Sequence, residues 1–232
     1  MICKVADLIA EIPASGGLSP RCREYLHSGG EAPDIVIRED RYRLHKYSPA
    51  FGENNIAYME SAYQFYRELV SFGGFYLHSS AVVLDNRAYL FSGDSGVGKS
   101  THARLWQQLR QDAYVINDDK PALRRMDGIW YAYGTPWCGK DGINRNEKVP
   151  LAGICFLKQA PENRIRQLEP FEAAQRILAQ TIYRFSDAAL LDQMLASLEL
   201  LLREIPVYEL ENRPEPDAAR LSMKTMGAGG GL

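Results

Sequence analysis

Residues 93–100 read Gly-Asp-Ser-Gly-Val-Gly-Lys-Ser and match GxxxxGK(S/T). Gly93, Gly96 and Gly98 admit backbone conformations that a side chain forbids. Successive N–H groups can then turn inward and cradle phosphate oxygens, with the positive end of a following helix adding to that field. Lys99 would neutralise charge on the outer phosphates, and the Ser100 hydroxyl would ligate Mg²⁺. Asp94, Ser95 and Val97 complete the loop, and Thr101 follows it in the first helical turn. The chemistry indicated is the holding of a nucleotide's polyphosphate. On its own the loop leaves an ATPase, a GTPase, a kinase and a passive nucleotide sensor open.

Other residue types narrow the choice. Asp118 closes the apolar run AYVIND and Asp119 follows it, roughly 20 residues beyond the loop. A strand-end aspartate is where such folds hold Mg²⁺ or its water shell, and two adjacent aspartates can divide the work between metal and base. His78 stands in LHSSAVV, the strand before the one that feeds the loop. Antiparallel pairing would bring it beside the phosphates, where a neutral imidazole could accept a proton or bind phosphate. The segment GTPWCGKDGINRNEK (134–148) offers Lys140, Asn144, Arg145 and Asn146. A mobile cation there, Lys140 or Arg145, could stabilise charge in a transition state or touch substrate.

These residues need a scaffold. FYLHSSAVVL and AYLFSG, separated by Asp85-Asn86-Arg87, predict a hairpin whose second strand runs into the loop. A helix is expected from the loop to about Arg110, burying Ala103, Leu105, Trp106 and Leu109. Asp127-Gly128 marks a second hairpin, and LAGICFL (151–157) and PVYEL read as further strands. Helices are predicted over roughly 56–71, 170–184 and 187–204, and PDAARLSM suggests a closing one. The first presents Ile56, Met59, Tyr63, Phe65, Tyr66 and Leu69; the third presents Leu191, Leu195, Leu198 and Leu202. Hairpins mixed with helices imply an α/β protein whose mixed β-sheet is flanked by helices. The expected organisation is a small β-rich region over 1–55, a domain over 56–225 and a disordered tail over 226–232.

The bulk numbers restrict the partners. A net charge of -2 over 232 residues gives no pull toward nucleic acid or an anionic membrane. No apolar run approaches a membrane span, and MICKVADLIAEIP is too interrupted by charge for a signal peptide. Four scattered cysteines (Cys3, Cys22, Cys138, Cys155) fit neither a disulfide framework nor a zinc site, and make the cytoplasm the expected compartment.

His78 in LHSSAVVL, the loop GDSGVGKST and Asp118-Asp119 in VINDDK together resemble the HPr kinase/phosphorylase family, especially its smaller kinase-related members. A more distant likeness reaches ATP-dependent phosphoenolpyruvate carboxykinase. The clear match covers roughly Leu77 to Lys120, and Ser79 and Thr101 stand where the family has glycine and glutamate. The resemblance implies a P-loop kinase core of the HPr kinase/PEP carboxykinase type, using ATP and Mg²⁺. It implies Asp118 as the general base, Asp119 with Ser100 on the metal, and Lys99 and His78 beside the transferred phosphate. The implied reaction carries the γ-phosphate to a hydroxyl, a serine of a peptide or small protein. A small-molecule kinase, a carboxykinase-like enzyme and a non-catalytic nucleotide-binding regulator are the alternatives.

Overall fold

The computed structural model describes residues 1–15, 17–182 and 185–228. The N-terminal strands β1 (Ile2–Val5) and β2 (Leu8–Glu11) form a hairpin through Ala6 and Asp7, both with positive φ. Strand β3 (Ile35–Val36) joins β2 in parallel and completes a three-stranded sheet. A short helix α1 (Leu18–Arg21) lies between β2 and β3. Helix α2 (Glu53–Leu69) follows.

The main sheet has nine strands. β4 (Gly74–Tyr76), β8 (Ala122–Met126) and β9 (Ile129–Tyr133) pair antiparallel in that order. β10 (Lys148–Gln159) links the two halves, because its first residues pair with β9 and its later ones with β6 (Arg87–Ser92). Beyond β6 lie β5 (Ser79–Leu84) and β7 (Tyr114–Asp119), both antiparallel to their neighbours. β12 (Val207–Asn212) runs parallel to β10 and carries β11 (Arg164–Gln167) on its outer side. The result is a curled, mixed sheet.

Helices cover both faces. α4 (Pro170–Ala179) and α5 (Ala188–Glu204) bury Ala173, Ile177, Met194, Leu198 and Leu201 with the inner residues of β5, β6 and β10. α3 (Lys99–Leu109) and α6 (Pro216–Thr225) cover the other face through Ala103, Trp106, Ala219 and Met223. Each such large apolar side chain contributes roughly 1.5–3 kcal/mol by leaving water.

The predicted hairpins form, with two-residue turns. Asp85 and Asn86, and Asp127 and Gly128, all take positive φ, as a type I′ turn requires. FYLHSSAVVL, however, is two strands and not one. Its first residues pair with β8, its last with β6 and β7, and His78 sits in the break. The His78 N–H bonds Gln180 O at 2.9 Å and takes no part in a strand ladder.

Two helical faces differ from their predicted stripes. On α5 the buried row is Leu190, Met194, Leu198 and Leu201, while Leu195 is exposed. On α2 Met59 is exposed and Glu60 is fully buried, held by Arg43 and Tyr47. A paired carboxylate at that position turns the helix away from the stripe that hydrophobicity alone suggests. α4 ends at Ala179, short of the predicted 184, and Tyr183 and Arg184 lie outside the described residues. Of the predicted tail, Met226 and Ala228 are buried against the α3–α6 layer, and 229–232 lie outside the described residues.

The region before α2 does not stand apart. Ile12, Leu18, Tyr25 and Ile35 share one core with Phe65, Tyr66, Ala122, Tyr133 and Trp137. All four cysteines are buried and free. Among the described residues no helix is long and apolar enough to cross a membrane.

Candidate active site

The glycine loop connects the end of β6 to the start of α3. Gly93 has φ 136°, and a Cβ there would meet Leu157 O at 3.0 Å and Val97 Cγ1 at 3.1 Å. Gly98, at φ 111°, is the residue from which α3 begins. Both positions exclude a side chain, one by space as well as by backbone. Lys99 folds back over the loop, and its Nζ donates to Gly93 O at 2.9 Å and Asp94 O at 3.1 Å. Burial lowers the Lys99 pKa, against the opposing pull of Asp119, Asp118 and Asp94.

β7 delivers the two aspartates to different neighbours, because successive strand residues face opposite ways. Ser80 on β5 lies opposite Asp118 in the ladder, and Ser79 lies opposite Asp119. Asp118 Oδ1 accepts from Ser80 Oγ. Asp118 Oδ2 accepts from Ser100 Oγ at 2.9 Å. The carboxylate therefore faces the hydroxyl of Ser100, the residue at the end of the glycine loop.

Asp119 faces a separate set. His78 Nε2 lies 3.2 Å from its Oδ1. Lys120 Nζ pairs with its Oδ2, and the Tyr58 hydroxyl lies 3.2 Å from that same oxygen. Burial pushes the Asp119 carboxyl up, but the His78 hydrogen bond and Lys120 outweigh it and hold the group at about 2. Its backbone has φ 128°, a conformation that costs a non-glycine residue about 1–3 kcal/mol and concentrates at functional sites. The kink is held by buried Asn117, whose Oδ1 accepts from Lys120 N at 2.8 Å and whose Nδ2 donates to Thr135 O at 2.9 Å.

Tyr58 comes from α2 and lies between two cations. The Arg21 guanidinium and the Lys120 ammonium each sit 5.0 Å from its ring centre. Its hydroxyl donates to Cys138 O at 2.9 Å, and Arg21 Nη1 donates to the same carbonyl at 2.8 Å. Burial and nearby Asp119 push the phenol pKa well up, so Tyr58 is a neutral donor.

The segment 134–148 packs against β7. Arg145 N bonds Ile116 O, Asp118 N bonds Ile143 O, and Asp119 bridges to Cys138. Arg145 stacks over Tyr114, at the far end of β7 from the aspartates, with Glu147 beside it. The cause lies in the backbone: pairing with Ile116 O fixes Arg145 along the strand. Lys140 is exposed and has no hydrogen bond or ion pair among the described residues. Among the described residues, Lys120 pairs with Asp119 and Lys99 lies in the field of both aspartates, while Arg21 reaches only as far as the Tyr58 ring and Cys138 O.

Two cavities meet here. One, of about 350 Å³, is bounded by Gly93–Val97, Phe156–Gln159 and Arg176. The other, of about 260 Å³, is bounded by His78, Asp119, Lys120, Tyr76 and Met59. Ala179 and Gln180 line both. Of these neighbours, Lys120 is adjacent to the aspartates in sequence and Ser80 lies two residues after His78. Tyr58, Gln180 and Arg21 carry no local signal, being brought in by α2, α4 and α1.

Residues 52–213 match the family described as ScmC, SynChlorMet cassette protein ScmC. The chain belongs to this family. The ScmC match begins at the residue before α2 and takes in the loop, both aspartates and Gln180. Its description names a cassette protein and no reaction. No curated protein matches the chain. Among solved structures, the Hpr(Ser) kinase/phosphatase from Coxiella burnetii is similar over 66% of this chain and 92% of that one, with 13% identity and a TM-score of 0.36.

Proposed function

We infer that this ScmC-family protein is a phosphotransferase, moving the γ-phosphate of ATP to a hydroxyl, with the serine of a peptide or small protein as the acceptor class. The observation that carries this is the divergence of the two aspartates. One meets the hydroxyl of a phosphate-type loop, and the other faces a cavity beside His78.

The geometry favours exchanging the roles that the family resemblance implies for the pair. Asp118, 2.9 Å from Ser100 Oγ, fits the metal side. Asp119, among His78, Lys120 and Tyr58, fits the acceptor side. A Mg²⁺ bound by Ser100 and Asp118 would supply charge neutralisation and orientation to the phosphates. Among the described residues no group of three or more His, Cys, Asp and Glu could hold a metal by itself. A site completed by phosphate oxygens and water needs no such group.

The chain's residues then have distinct tasks. Lys99 exchanges its carbonyl partners, Gly93 O and Asp94 O, for phosphate oxygens. Asp119 orients the acceptor hydroxyl and takes its proton late, since a carboxylate held near 2 is a weak base in the ground state. His78 and Lys120 keep Asp119 ionised, and Lys120 brings positive charge to the acceptor side.

The test is incubation of the whole chain with γ-labelled ATP, Mg²⁺ and hydroxyl-bearing peptides. Label on peptide serine supports the reading. Label on a free hydroxy acid would make it a small-molecule kinase. Mg²⁺-dependent ATP binding with no ADP formed above that of the Asp119→Asn variant would leave a nucleotide-binding regulator and overturn the proposal.

A further inference from the structure

Gln180 follows the last residue of α4 and touches both sides of the site. Its backbone carbonyl accepts from His78 N at 2.9 Å. Its side-chain Nε2 donates to Asp94 Oδ1 at 3.2 Å, and its Oε1 lies 3.1 Å from His78 Nδ1. The amide has only one arrangement that serves both partners. A carboxylate oxygen can only accept, so Asp94 takes the NH₂ end. The carbonyl end then faces His78, and Nδ1 must carry the hydrogen. Nε2 is the ring atom presented to Asp119 Oδ1, 3.2 Å away, and that oxygen too can only accept, so both ring nitrogens carry hydrogen in this arrangement.

We propose that Gln180 is a positioning residue that sets the His78 ring orientation and ties it to Asp94 of the glycine loop, holding the donor and acceptor cavities in register. The inference rests on the phosphotransfer reading for its consequence in rate, but the Nδ1 hydrogen it assigns is independent of any reaction. A rigid second partner on the far ring nitrogen is a general way to fix which histidine nitrogen faces the chemistry. Gln180 meets the structural requirement, since it lines both cavities and sits where they adjoin.

Two variants separate the two ties. Gln180→Glu keeps an acceptor for His78 Nδ1 and replaces the donor to Asp94 with a like charge. Gln180→Leu removes both. In protein labelled with ¹⁵N-histidine, with the His78 signals assigned by His78→Gln, wild type and Gln180→Glu are expected to show a protonated Nδ1. Gln180→Leu is expected to lose that signature. In phosphate transfer, Gln180→Glu is expected to raise the nucleotide KM with kcat retained. Gln180→Leu is expected to raise KM similarly and also to lower kcat by about tenfold to a hundredfold, the range for loss of such a supporting contact. An unprotonated Nδ1 in wild type, or the same spectrum in Gln180→Leu, overturns the proposal. Absence of phosphate transfer by wild type would count against the phosphotransfer reading, while the spectra still decide Gln180.

Discussion

At the scale of single residues, the two aspartates differ by their contacts, and substitution should separate them. Asp118→Asn leaves a hydrogen-bonding group beside Ser80 and Ser100 but removes the charge. Its expected effect is a higher Mg²⁺ concentration at half-maximal nucleotide binding, read by titrating labelled ATP with Mg²⁺. Asp119→Asn should leave that titration near wild type and lower kcat by about 10²–10⁴, the range for loss of a positioned acid–base group. The opposite pattern would restore the assignment made from the resemblance. Lys99→Met should lower kcat/KM by about 10²–10³, the scale of a lost charge-stabilising contact in a water-poor site. The glycine loop and the Asp118-Asp119 pair stand out in the sequence by motif and spacing, and His78 through the family resemblance; the structure places all of them round the same two cavities and their rim. Tyr58, Arg21 and Gln180 do not stand out, because their contacts arise from helix packing across 61 to 117 residues of chain. Arg145 shows the converse. A cation in a glycine-rich segment suggested a mobile finger, and backbone pairing with β7 directed it elsewhere.

At the scale of elements, α3 is held to α6 by a buried polar cluster whose protons can be counted. The Ser222 hydroxyl donates to Ala219 O at 2.9 Å, so its oxygen accepts from Trp106 Nε1 at 3.0 Å and from His102 Nε2 at 2.9 Å. His102 is therefore the neutral Nε2–H form, and Nδ1 is buried without a partner among the described residues. Burial lowers its pKa from 6.5 to about 4. The unfolded chain then binds the extra proton first as pH falls, so stability drops between about 6.5 and about 4 and levels off below. The size is roughly 3 kcal/mol at one pKa unit per 1.36 kcal/mol. Urea unfolding across that range should show the loss, and His102→Gln should flatten it. A slope unchanged in the variant would assign the acid sensitivity to other groups. This element was half legible. Trp106 and Ala103 followed from helical period, whereas His102 reads as polar in any pattern and is buried only because Ser222 comes from a helix 120 residues away. The strand break at His78 was hidden for a similar reason: Leu77 and Ser79 are both buried, and only their different strand partners separate β4 from β5.

At the scale of the molecule, the match to the ScmC family begins at residue 52, but the packing does not. Trp137 is fully buried, 4.7 Å from the Phe65 ring and 5.5 Å from that of Tyr66, and its Nε1 donates to Ser61 Oγ at 3.0 Å. The same core is completed by Ile12, Leu18, Tyr25 and Ile35. Arg21 then bonds Cys138 O, next to Trp137, and flanks Tyr58 at the site. A chain begun at Gly52 would expose one face of α2, and also β8, β9 and the segment carrying Trp137. Several aromatic and branched side chains would return to water at roughly 1.5–3 kcal/mol each, against a typical total stability of about 5–15 kcal/mol. The expected result is a protein without a cooperative unfolding transition. A milder probe keeps the whole chain: Trp137→Ala should destabilise by about 3–5 kcal/mol, as removal of a buried tryptophan does. Arg21→Ala leaves that core intact and should instead change kcat with little effect on the melting temperature, because its partners are Cys138 O and Tyr58. If the truncated chain unfolds cooperatively and binds Mg·ATP like the full one, the first 51 residues are an accessory, and Arg21 has no part in the site.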